Sequence, residues 1–463
     1  MSASQRLLDG HRSTDGPLRV LAASGQLGYG IPREALQRGV THRPHFIGCD
    51  MGSIDPGPYY LGSGTMAAPA AMVQRDLELV LLAALQLGVP LIIGSAGTAG
   101  AGPQLDATVA VVRRIAQQHA LRFRLTTIRS DVTAEQVLHA MERGKLQPLG
   151  GMAEPTRDDV LACTHIVGQC GTETLERALR LPTDVLITGR ACDTAIFATL
   201  PQMLGYPVAL CLHMAKIIEC TSLCCQPAAR DAMLAELDMQ GFTLHSMNPQ
   251  AHATPASVAA HALYEQGDPQ VVEEPGGALL LHEACYEALD EHRTRVSGAR
   301  FRARVQASLK VEGAALVGWR VVLLAGVADP GLLAQLPQVL HAVEARVRGL
   351  VAGDWTMHPH VYGQGAVHPL PSERQSADEA GLVIEFIADS AELARTAAGV
   401  FKQNLLHCAY PGRMSTAGNL AFAFTPSELD AGAAYRFVLY HVLHDAPMHD
   451  IFRIDGVELG QLH

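Results

Sequence analysis

Two adjoining segments, Ala71-Met-Val-Gln-Arg-Asp-Leu-Glu-Leu-Val-Leu-Leu-Ala-Ala-Leu-Gln-Leu87 and Pro90-Leu-Ile-Ile-Gly94, indicate which kind of sheet this chain builds. Apolar residues recur at helical spacing in the first segment, whereas the second is a short β-branched run bounded by proline and glycine. A helix that leads directly into a short, wholly apolar strand is typical of a parallel sheet with helices on its faces. The pair therefore predicts an α/β fold.

The same alternation of helix and strand extends on both sides of this pair. Further strands are predicted at Leu18–Ala23, Pro44–Asp50, 121–128, His165–Gly168 and Asp184–Thr188, and further helices at 105–119, 133–143 and 172–180. These units predict a layered, parallel-sheet α/β domain at residues 18–298. The polar segment that precedes it, residues 1–17, is expected to be disordered.

The pattern changes after Gly298, where strand signals come in pairs separated by single helices. Strands are predicted at Arg304–Val311, Gly318–Ala325, 355–362 and 382–387, and helices at 331–350 and 390–405. This order predicts a second, smaller α+β domain at residues 299–463, with a sheet on one face and helices on the other. A chain of 463 residues is also longer than one core usually supports.

Composition narrows the classes of ligand. The net charge is −11 and no basic tract is present, which argues against a nucleic acid or an anionic membrane as partner. The polar N-terminus lacks the apolar core of a signal peptide, and no apolar run is long enough to span a membrane, so we expect a cytoplasmic protein. The apolar content favours a homo-oligomer over a monomer. Small molecules are the expected ligands.

The ten cysteines are scattered along the chain and do not form a disulfide framework. Cys220, Cys224 and Cys225 lack the spacing of a zinc knuckle and have no matching second pair. We therefore predict that these three thiols are reduced and bind no metal.

Ligands of open parallel sheets bind at the carboxyl ends of the strands, so the loops that follow the strands are the first candidates. The glycine-rich loop 94–102 leads into a helix and is predicted to bind a carboxylate or phosphate, with Ser95 and Gly97 as substrate-binding residues. The alternative is a tight turn that packs closely and binds nothing.

The loop after the first strand, Ser24–Gly30, spaces its glycines unlike a dinucleotide fingerprint. Asp50, however, occupies the position of a ribose-binding acid, which keeps a dinucleotide enzyme as an alternative.

The loop after the second strand carries several polar side chains within ten residues. Asp50 and Asp55 flank Ser53, and a rigid Pro-Gly-Pro turn leads to Tyr59. Two carboxylates so close together can form an acid/base pair or bind a divalent cation, and all four residues are candidate site residues. A solvated loop with structural Asx turns is the alternative.

A second group of charged residues lies in otherwise apolar sequence. Arg190 and Asp193 follow a predicted strand, and a predicted helix at 210–225 would place His213 and Lys216 on one stripe, with Glu219 at its edge. A lysine in this position can act as a base, as a carboxylate anchor or as a Schiff-base nucleophile. Structural pairing of Lys216 with Glu219 or Asp193 is the alternative.

Six separated motifs, in order along the chain, carry a resemblance to a known family. They are Gly48-Cys-Asp-Met-Gly-Ser-Ile-Asp-Pro-Gly-Pro-Tyr-Tyr-Leu-Gly62, Ile93-Gly-Ser-Ala-Gly97, Ile187-Thr-Gly-Arg-Ala-Cys-Asp193, Lys216-Ile-Ile-Glu-Cys220, Thr254-Pro-Ala-Ser-Val-Ala-Ala-His261 and Tyr410-Pro-Gly-Arg-Met-Ser-Thr-Ala-Gly-Asn-Leu-Ala-Phe422. From about residue 18 onward the sequence resembles the acyclic terpene utilisation protein family. The resemblance implies catabolism of branched terpenes through CoA thioesters. Some longer members carry an additional ferredoxin-like C-terminal domain, which leaves open whether this chain acts alone or with a separately encoded small partner protein.

The last motif places Arg413 and Asn419 around a tight turn. This combination is suited to binding carboxylate or phosphate oxygens; the alternative is a capped turn that only connects the C-terminal strand to the rest of the protein.

Together the candidate residues predict a lyase or hydratase that acts on a small branched carboxylic acid or its acyl-CoA thioester without a cofactor. Arg190 and the loop amides would hold the substrate, while Asp50, Asp193, Lys216 or Glu219 would move protons. The alternatives are a non-catalytic ligand-binding or assembly subunit and a dinucleotide-dependent oxidoreductase.

Overall fold

The computed structural model describes residues 1–263, 267–305, 308–367, 378–413 and 418–460. The chain is an α/β protein that divides into two compact units. The first unit comprises Met1–Ala314 and Phe437–His463, and the second comprises Ala315–Arg436. The predicted boundary at residue 298 therefore differs from the observed division, and the C-terminal segment belongs to the first unit.

The described elements alternate as the sequence indicates. The strands are β1 (Leu18–Ser24), β2 (Phe46–Asp50), β3 (Leu91–Gly94), β4 (Phe123–Arg129), β5 (Leu146–Pro148), β6 (Cys163–Gly168), β7 (Val185–Thr188), β8 (Met233–Leu237), β9 (Gly241–Ser246), β10 (Val271–Glu274), β11 (Gly277–Leu280), β12 (Cys285–Ala288), β13 (Arg293–Ser297), β14 (Arg300–Ala303), β15 (Ser308–Val327), β16 (Trp355–Tyr362), β17 (Ala380–Ala388), β18 (Glu428–His444) and β19 (Arg453–Leu459). The helices are α1 (Ala3–Gly10), α2 (Arg33–Thr41), α3 (Pro58–Ser63), α4 (Ala70–Leu87), α5 (Gly102–Gln118), α6 (Ala134–Glu142), α7 (Arg157–Ala162), α8 (Thr172–Leu179), α9 (Asp193–Met203), α10 (Val208–Ile218), α11 (Pro255–Ala262), α12 (Pro330–Arg348), α13 (Ala391–His407) and α14 (Met448–Ile451), with a short 3₁₀ helix at Thr221–Cys224.

A ten-stranded mixed sheet forms the centre of the first unit, in the order β12-β13-β9-β8-β1-β2-β3-β7-β4-β19. The central strands β1, β2, β3, β7 and β4 are parallel to one another, as the sequence predicts. Antiparallel strands extend both edges of this parallel core. The predicted strand at His165–Gly168 forms as β6, but it pairs with β15 and lies outside the parallel sheet.

Helices pack on both faces of the parallel core. Side chains of α2, α4 and α5 form a continuous apolar core with one face of β1, β2, β3 and β7. On the other face, α9 packs so closely that a Cβ at Gly48 would collide with the Phe197 ring, and one at Gly94 would collide with Ile196. Because glycine has no side chain, these two strand positions allow α9 to pack closely against β2 and β3.

The N-terminal segment is partly helical, which corrects the expectation that residues 1–17 are disordered. Helix α1 begins with a capping box in which the Ser2 hydroxyl accepts from the Gln5 amide. Leu7 is buried, and the Ala3 amide donates to the Asp184 carboxylate over 2.6 Å. A local cap and a distant carboxylate thus order a segment whose composition is polar.

The second unit pairs β16, β17, β15 and β18 in that order. Helices α12 and α13 contribute the apolar side chains that cover one face of β15, β16 and β17. The two strands predicted at Arg304–Val311 and Gly318–Ala325 are instead one long strand, β15, because the residues between them continue the extended backbone. Among the described residues, no helix combines the length and the apolarity that crossing a membrane requires.

Candidate active site

A cavity of about 270 Å³ opens at the carboxyl ends of β1 and β2. Its walls come from the segments 24–31, 50–55 and 219–223, together with Asp193 at the start of α9 and Arg230. This is the edge at which ligands of parallel sheets bind. The cavity brings together five predicted site residues from three parts of the sequence, Asp50, Ser53, Asp55, Asp193 and Glu219.

Asp50 is the most unusual carboxyl group of the cavity. It is 4% exposed, and its Oδ2 accepts a hydrogen bond of 3.1 Å from the Gly52 amide. Its Oδ1 is buried and has no hydrogen-bond partner among the described residues. Burial raises the pKa of Asp50 well above its usual range, and the nearby Asp193 raises it further, while Arg190 acts in the opposite direction. Asp50 is therefore a buried carboxylic acid that faces a cavity.

Asp193 lies in a different environment from Asp50. It is the first residue of α9, where the helix dipole favours a negative charge, and its Oδ1 accepts from Arg190 Nη1 over 3.3 Å. Burial raises the pKa of Asp193, but the guanidinium of Arg190 and the ammonium of Lys216 oppose the shift. The pKa of both carboxyl groups is thus raised, but Asp193, unlike Asp50, accepts a hydrogen bond from a cation that favours its charged form.

Arg190 lies behind the cavity and does not line it. Its side chain is 3% exposed and donates to Glu312 Oε2 at 2.9 Å and to Ser95 Oγ at 3.2 Å, besides contacting Asp193. Burial would raise the pKa of Glu312, but Arg190 and Lys310 outweigh burial, and the pKa is lowered. The predicted group of Arg190, Ser95 and Asp193 does form, but its guanidinium is occupied by protein ligands.

Lys216 forms a buried ion pair with Glu219, in which the Nζ–Oε1 distance is 2.6 Å and the two residues are 8% and 6% exposed. Burial and Asp193 raise the pKa of Glu219 to about 8, against the effect of Lys216. Burial lowers the pKa of Lys216, but Glu219 outweighs burial and the net shift is upward. Lys216 therefore remains an ammonium ion, so the pairing alternative describes it better than a base or a Schiff-base nucleophile. Glu219, and not Lys216, lines the cavity.

The predicted helix at 210–225 is shorter than expected, because α10 ends at Ile218 and Thr221 adopts a positive φ of 54°. His213 lies on α10 but points away from the cavity. Its Nε2 is 3.2 Å from the Tyr286 hydroxyl, its ring contacts Phe242 edge-on, and burial lowers its pKa to about 4. The structure therefore places His213 in the apolar interior, as a neutral imidazole.

Most backbone amides of the loop 94–102 are not available to bind an anion, because they already donate hydrogen bonds within the protein. The amides of Ala96, Thr98, Gly100, Ala101 and Gly102 all donate within the protein. The side chain of Gln104 further ties this loop to the backbone that follows β2. Ser95 and Gly97 thus belong to a tightly packed turn outside the cavity lining, which corrects the predicted anion-binding role of this loop.

The glycine loop after β1 is also occupied by a protein carboxylate. The buried Asp76 of α4 accepts hydrogen bonds of 2.9–3.0 Å from the amides of Gly28, Gly30 and Ile31. A dinucleotide enzyme would use such amides for the pyrophosphate. Because Asp76 takes that place, the loop geometry argues against the dinucleotide alternative.

The remaining candidates are placed elsewhere. Tyr59 is 43% exposed and stacks edge-on against Tyr60, outside the cavity lining. Arg413 and Asn419 lie in the second unit, where Arg413 donates to the carbonyl of His407 and Asn419 to that of Leu405, both at the end of α13. These contacts are those of a turn that caps a helix. Residues 414–417 of that motif lie outside the described residues, and a substrate-binding role for Arg413 and Asn419 stays a prediction.

Glu274 is a buried carboxyl group near the cavity that sequence reasoning missed. Its Oε2 accepts from the Thr194 hydroxyl at 2.9 Å and from the Cys192 thiol at 3.4 Å. Burial raises its pKa to about 7, and these two hydrogen bonds only partly oppose the shift. The sequence signal was weak, because Glu274 belongs to a short, mostly polar segment before Pro275-Gly276.

Replacing Glu274 with Gln is expected to stabilise the protein above neutral pH and not in acid. The unfolded carboxyl titrates near 4.5 but the folded one near 7, so the native state binds more protons between these values, and stability falls as pH rises through this window. At about pH 8 the variant should be more stable than the wild type by about 2–3 kcal/mol, and at about pH 5 the two should be similar. Chemical unfolding at both pH values measures the difference. Equal stability of the two proteins at both values would contradict a raised pKa.

The remaining groups to consider at the site are possible metal ligands and the cysteine thiols. Within the part of the chain that the structure describes, no group of three or more His, Cys, Asp or Glu side chains is arranged to hold a metal ion. No disulfide bond joins Cys220, Cys224 or Cys225, or any of the other cysteines, all of which lie in the described part of the chain. Cys220 lines the cavity beside Glu219.

Fold and site together define an α/β protein with a cluster of buried carboxyl groups at the carboxyl edge of its parallel strands. The family model for the acyclic terpene utilisation family protein AtuA matches residues 70–430. The chain belongs to this family, which confirms the resemblance of its motifs. No curated protein and no solved structure matches the chain.

Proposed function

We propose that this protein is an acid/base lyase or hydratase that acts on a small branched carboxylic acid, or its acyl-CoA thioester, in a catabolic pathway. The observation that supports this proposal is the pairing of Asp50 and Asp193 in one cavity, where burial raises the pKa of both carboxyl groups but only Asp193 accepts a hydrogen bond from a cation, Arg190. Two carboxyl groups in unequal environments commonly serve as the acid and the base of one site.

The environments suggest which group plays which role. Asp193 contacts the Arg190 guanidinium and begins α9, so it is the base. Asp50 is more deeply buried, has no cation among its hydrogen-bond partners and has one oxygen, Oδ1, without a hydrogen-bond partner among the described residues, so it is the acid. Proton transfer by positioned groups of this kind accelerates reactions by about 10²–10⁴-fold each.

A dehydration would proceed as a balanced β-elimination. Asp193 takes the proton from the α-carbon, the electron pair of that C–H bond forms the α–β double bond, and the C–O bond at the β-carbon breaks. Asp50 donates its proton to the departing hydroxyl, which leaves as water. Both groups have then changed protonation state, and exchange with solvent restores them. Hydration is the reverse of the same steps.

The alternatives fit the contacts less well. A non-catalytic subunit is favoured if the polar groups all pair with one another, and Arg190, Lys216 and Glu312 do so. Asp50 does not, since it lines the cavity and its buried Oδ1 has no hydrogen-bond partner among the described residues. A dinucleotide enzyme is disfavoured because Asp76 occupies the amides of the first glycine loop. The amides of Ala96, Thr98, Gly100, Ala101 and Gly102 have no part in the mechanism, since they are bonded within the protein.

The proposal predicts isotope exchange that depends on the folded protein. We expect the protein in D₂O to introduce deuterium at the α-carbon of β-hydroxyisovalerate or β-hydroxyisovaleryl-CoA, and to interconvert either with its dehydrated product. Mass spectrometry detects both changes, and the heat-unfolded protein is the control. Saturable binding of these compounds in native mass spectrometry, with neither exchange nor loss of water, would instead support the non-catalytic ligand-binding alternative.

A further inference from the structure

Arg230 is the only cationic side chain among the described residues that line the cavity. It lies in the exposed segment before β8, and no ion pair joins it to a carboxylate of the described residues. Tyr29 is its neighbour across the opening. Burial and Tyr60 raise the pKa of Tyr29, whereas the charge of Arg230 lowers it, as expected for groups that lie close together.

The other arginine of the site cannot bind an anionic ligand. Arg190 is buried and already bonded to Glu312, Ser95 and Asp193. An exposed guanidinium with free donors is well suited to bind a carboxylate through two parallel hydrogen bonds. Arg230, and not Arg190 as predicted, is therefore the arginine that can bind an anion in this cavity.

The charge distribution also orients a ligand. Of the charged residues that line the cavity, Asp50 and Glu219 are buried, whereas Arg230 and Asp55 are exposed. Because Arg230 carries the positive charge of the described lining, an anionic group is favoured beside it, and the uncharged part of the ligand is directed toward the buried carboxyl groups. This arrangement would leave the α- and β-carbons of a short acid facing Asp193 and Asp50.

We propose that the cavity binds a small, free monocarboxylate whose carboxylate is held by Arg230. This inference rests on the proposed function and narrows its substrate from an acid or thioester to the acid. The volume of about 270 Å³ lies below the range of roughly 300–1,000 Å³ that is common for drug-sized ligands. The several phosphate groups of CoA would require more cations than one, and the other charged residues of the lining are acidic.

Titration calorimetry with three probes tests this inference. The probes are isovalerate, the neutral isovaleramide of the same shape, and isovaleryl-CoA, supplemented by monocarboxylates from butyrate to octanoate. We expect the wild type to bind a carboxylate of this set more tightly than the amide or the thioester. Arg230→Gln should weaken carboxylate binding by about 10-fold or more and leave amide binding unchanged, because a charge-assisted bidentate contact is lost. Arg230→Lys should retain part of the affinity.

Arg114→Gln is the matched control, because Arg114 is exposed on α5 and lies outside the cavity lining. It should bind every probe as the wild type does, and all variants should keep the unfolding midpoint of the wild type. The inference is overturned if Arg230→Gln binds the carboxylate normally, if the amide or thioester binds as tightly as the acid, or if no monocarboxylate of the set binds. Carboxylate binding that depends on Arg230, without isotope exchange, would refute the proposed chemistry and leave this inference standing.

Discussion

Asp50→Asn is expected to lower turnover by about 10²–10⁴-fold while the protein stays folded. Burial and the neighbouring Asp193 raise the pKa of Asp50, which favours its neutral form, and Asn replaces it with a neutral group of nearly equal size. The Gly52 amide keeps an acceptor in the Asn oxygen. What is lost is the acidic proton that would be given to the departing hydroxyl. The rate of isotope exchange and the thermal unfolding midpoint measure the two effects separately.

Asp354→Asn is the matched control, because Asp354 is an exposed aspartate between α12 and β16 of the second unit. This variant should turn over the substrate as the wild type does. An Asp50→Asn protein with full activity would exclude Asp50 as the acid. A variant that loses activity together with its unfolding transition would assign Asp50 a structural role instead.

The sequence was sufficient to predict the parallel core. Its strands are short apolar runs followed by amphipathic helices, and this local pattern reflects burial of the strands on both faces. Leu18–Ala23, Pro44–Asp50, Pro90–Gly94 and Asp184–Thr188 all became parallel strands within one to two residues. Because ligand sites of such sheets follow from topology, the sequence assigns Asp50, Ser95, Arg190 and Asp193, which all follow predicted strands, to one pocket. Of these four residues, Asp50 and Asp193 line the cavity, whereas Ser95 and Arg190 do not.

Partnerships between distant residues could not be predicted in the same way. The strand at His165–Gly168 has the composition of its neighbours, yet its hydrogen-bond partner is β15, which lies far along the chain. Nothing local indicates that Asp76 fills the first glycine loop, or that Glu312 occupies Arg190. Both carboxylates are contributed by regular elements whose apolar neighbours dominate the sequence pattern.

Arg230 illustrates the same limit for function. It lies in an irregular, exposed segment with no motif, whereas Arg190 belongs to a charged motif after a strand. In the structure Arg230 lines the cavity, whereas Arg190 lies behind it and forms ion pairs with the carboxylates of Asp193 and Glu312. A sequence motif can thus identify the region of a site without identifying which of its charges is free to meet a ligand.

Lys216→Met is expected to destabilise the protein by about 3–5 kcal/mol, because it leaves a buried carboxyl group without its counter-ion. The ion pair with Glu219 is 2.6 Å long, and both side chains are less than one tenth exposed. Without Lys216 the pKa of Glu219 should rise above its present value of about 8. The cost should therefore grow with pH as this carboxyl group is forced to ionise, which chemical unfolding over a pH series measures.

A double-mutant cycle separates this structural role from a role in the cavity. Lys216→Met/Glu219→Gln removes both charges, and it should recover much of the stability lost in Lys216→Met, because no buried charge is left unpaired. Glu219→Gln alone leaves the ammonium unpaired and should also be destabilising. If Lys216→Met instead melts like the wild type but loses ligand binding, Lys216 belongs to the cavity and the ion pair is incidental. If the double variant is no more stable than Lys216→Met, its instability arises from lost packing of the lysine stem and not from an uncompensated charge.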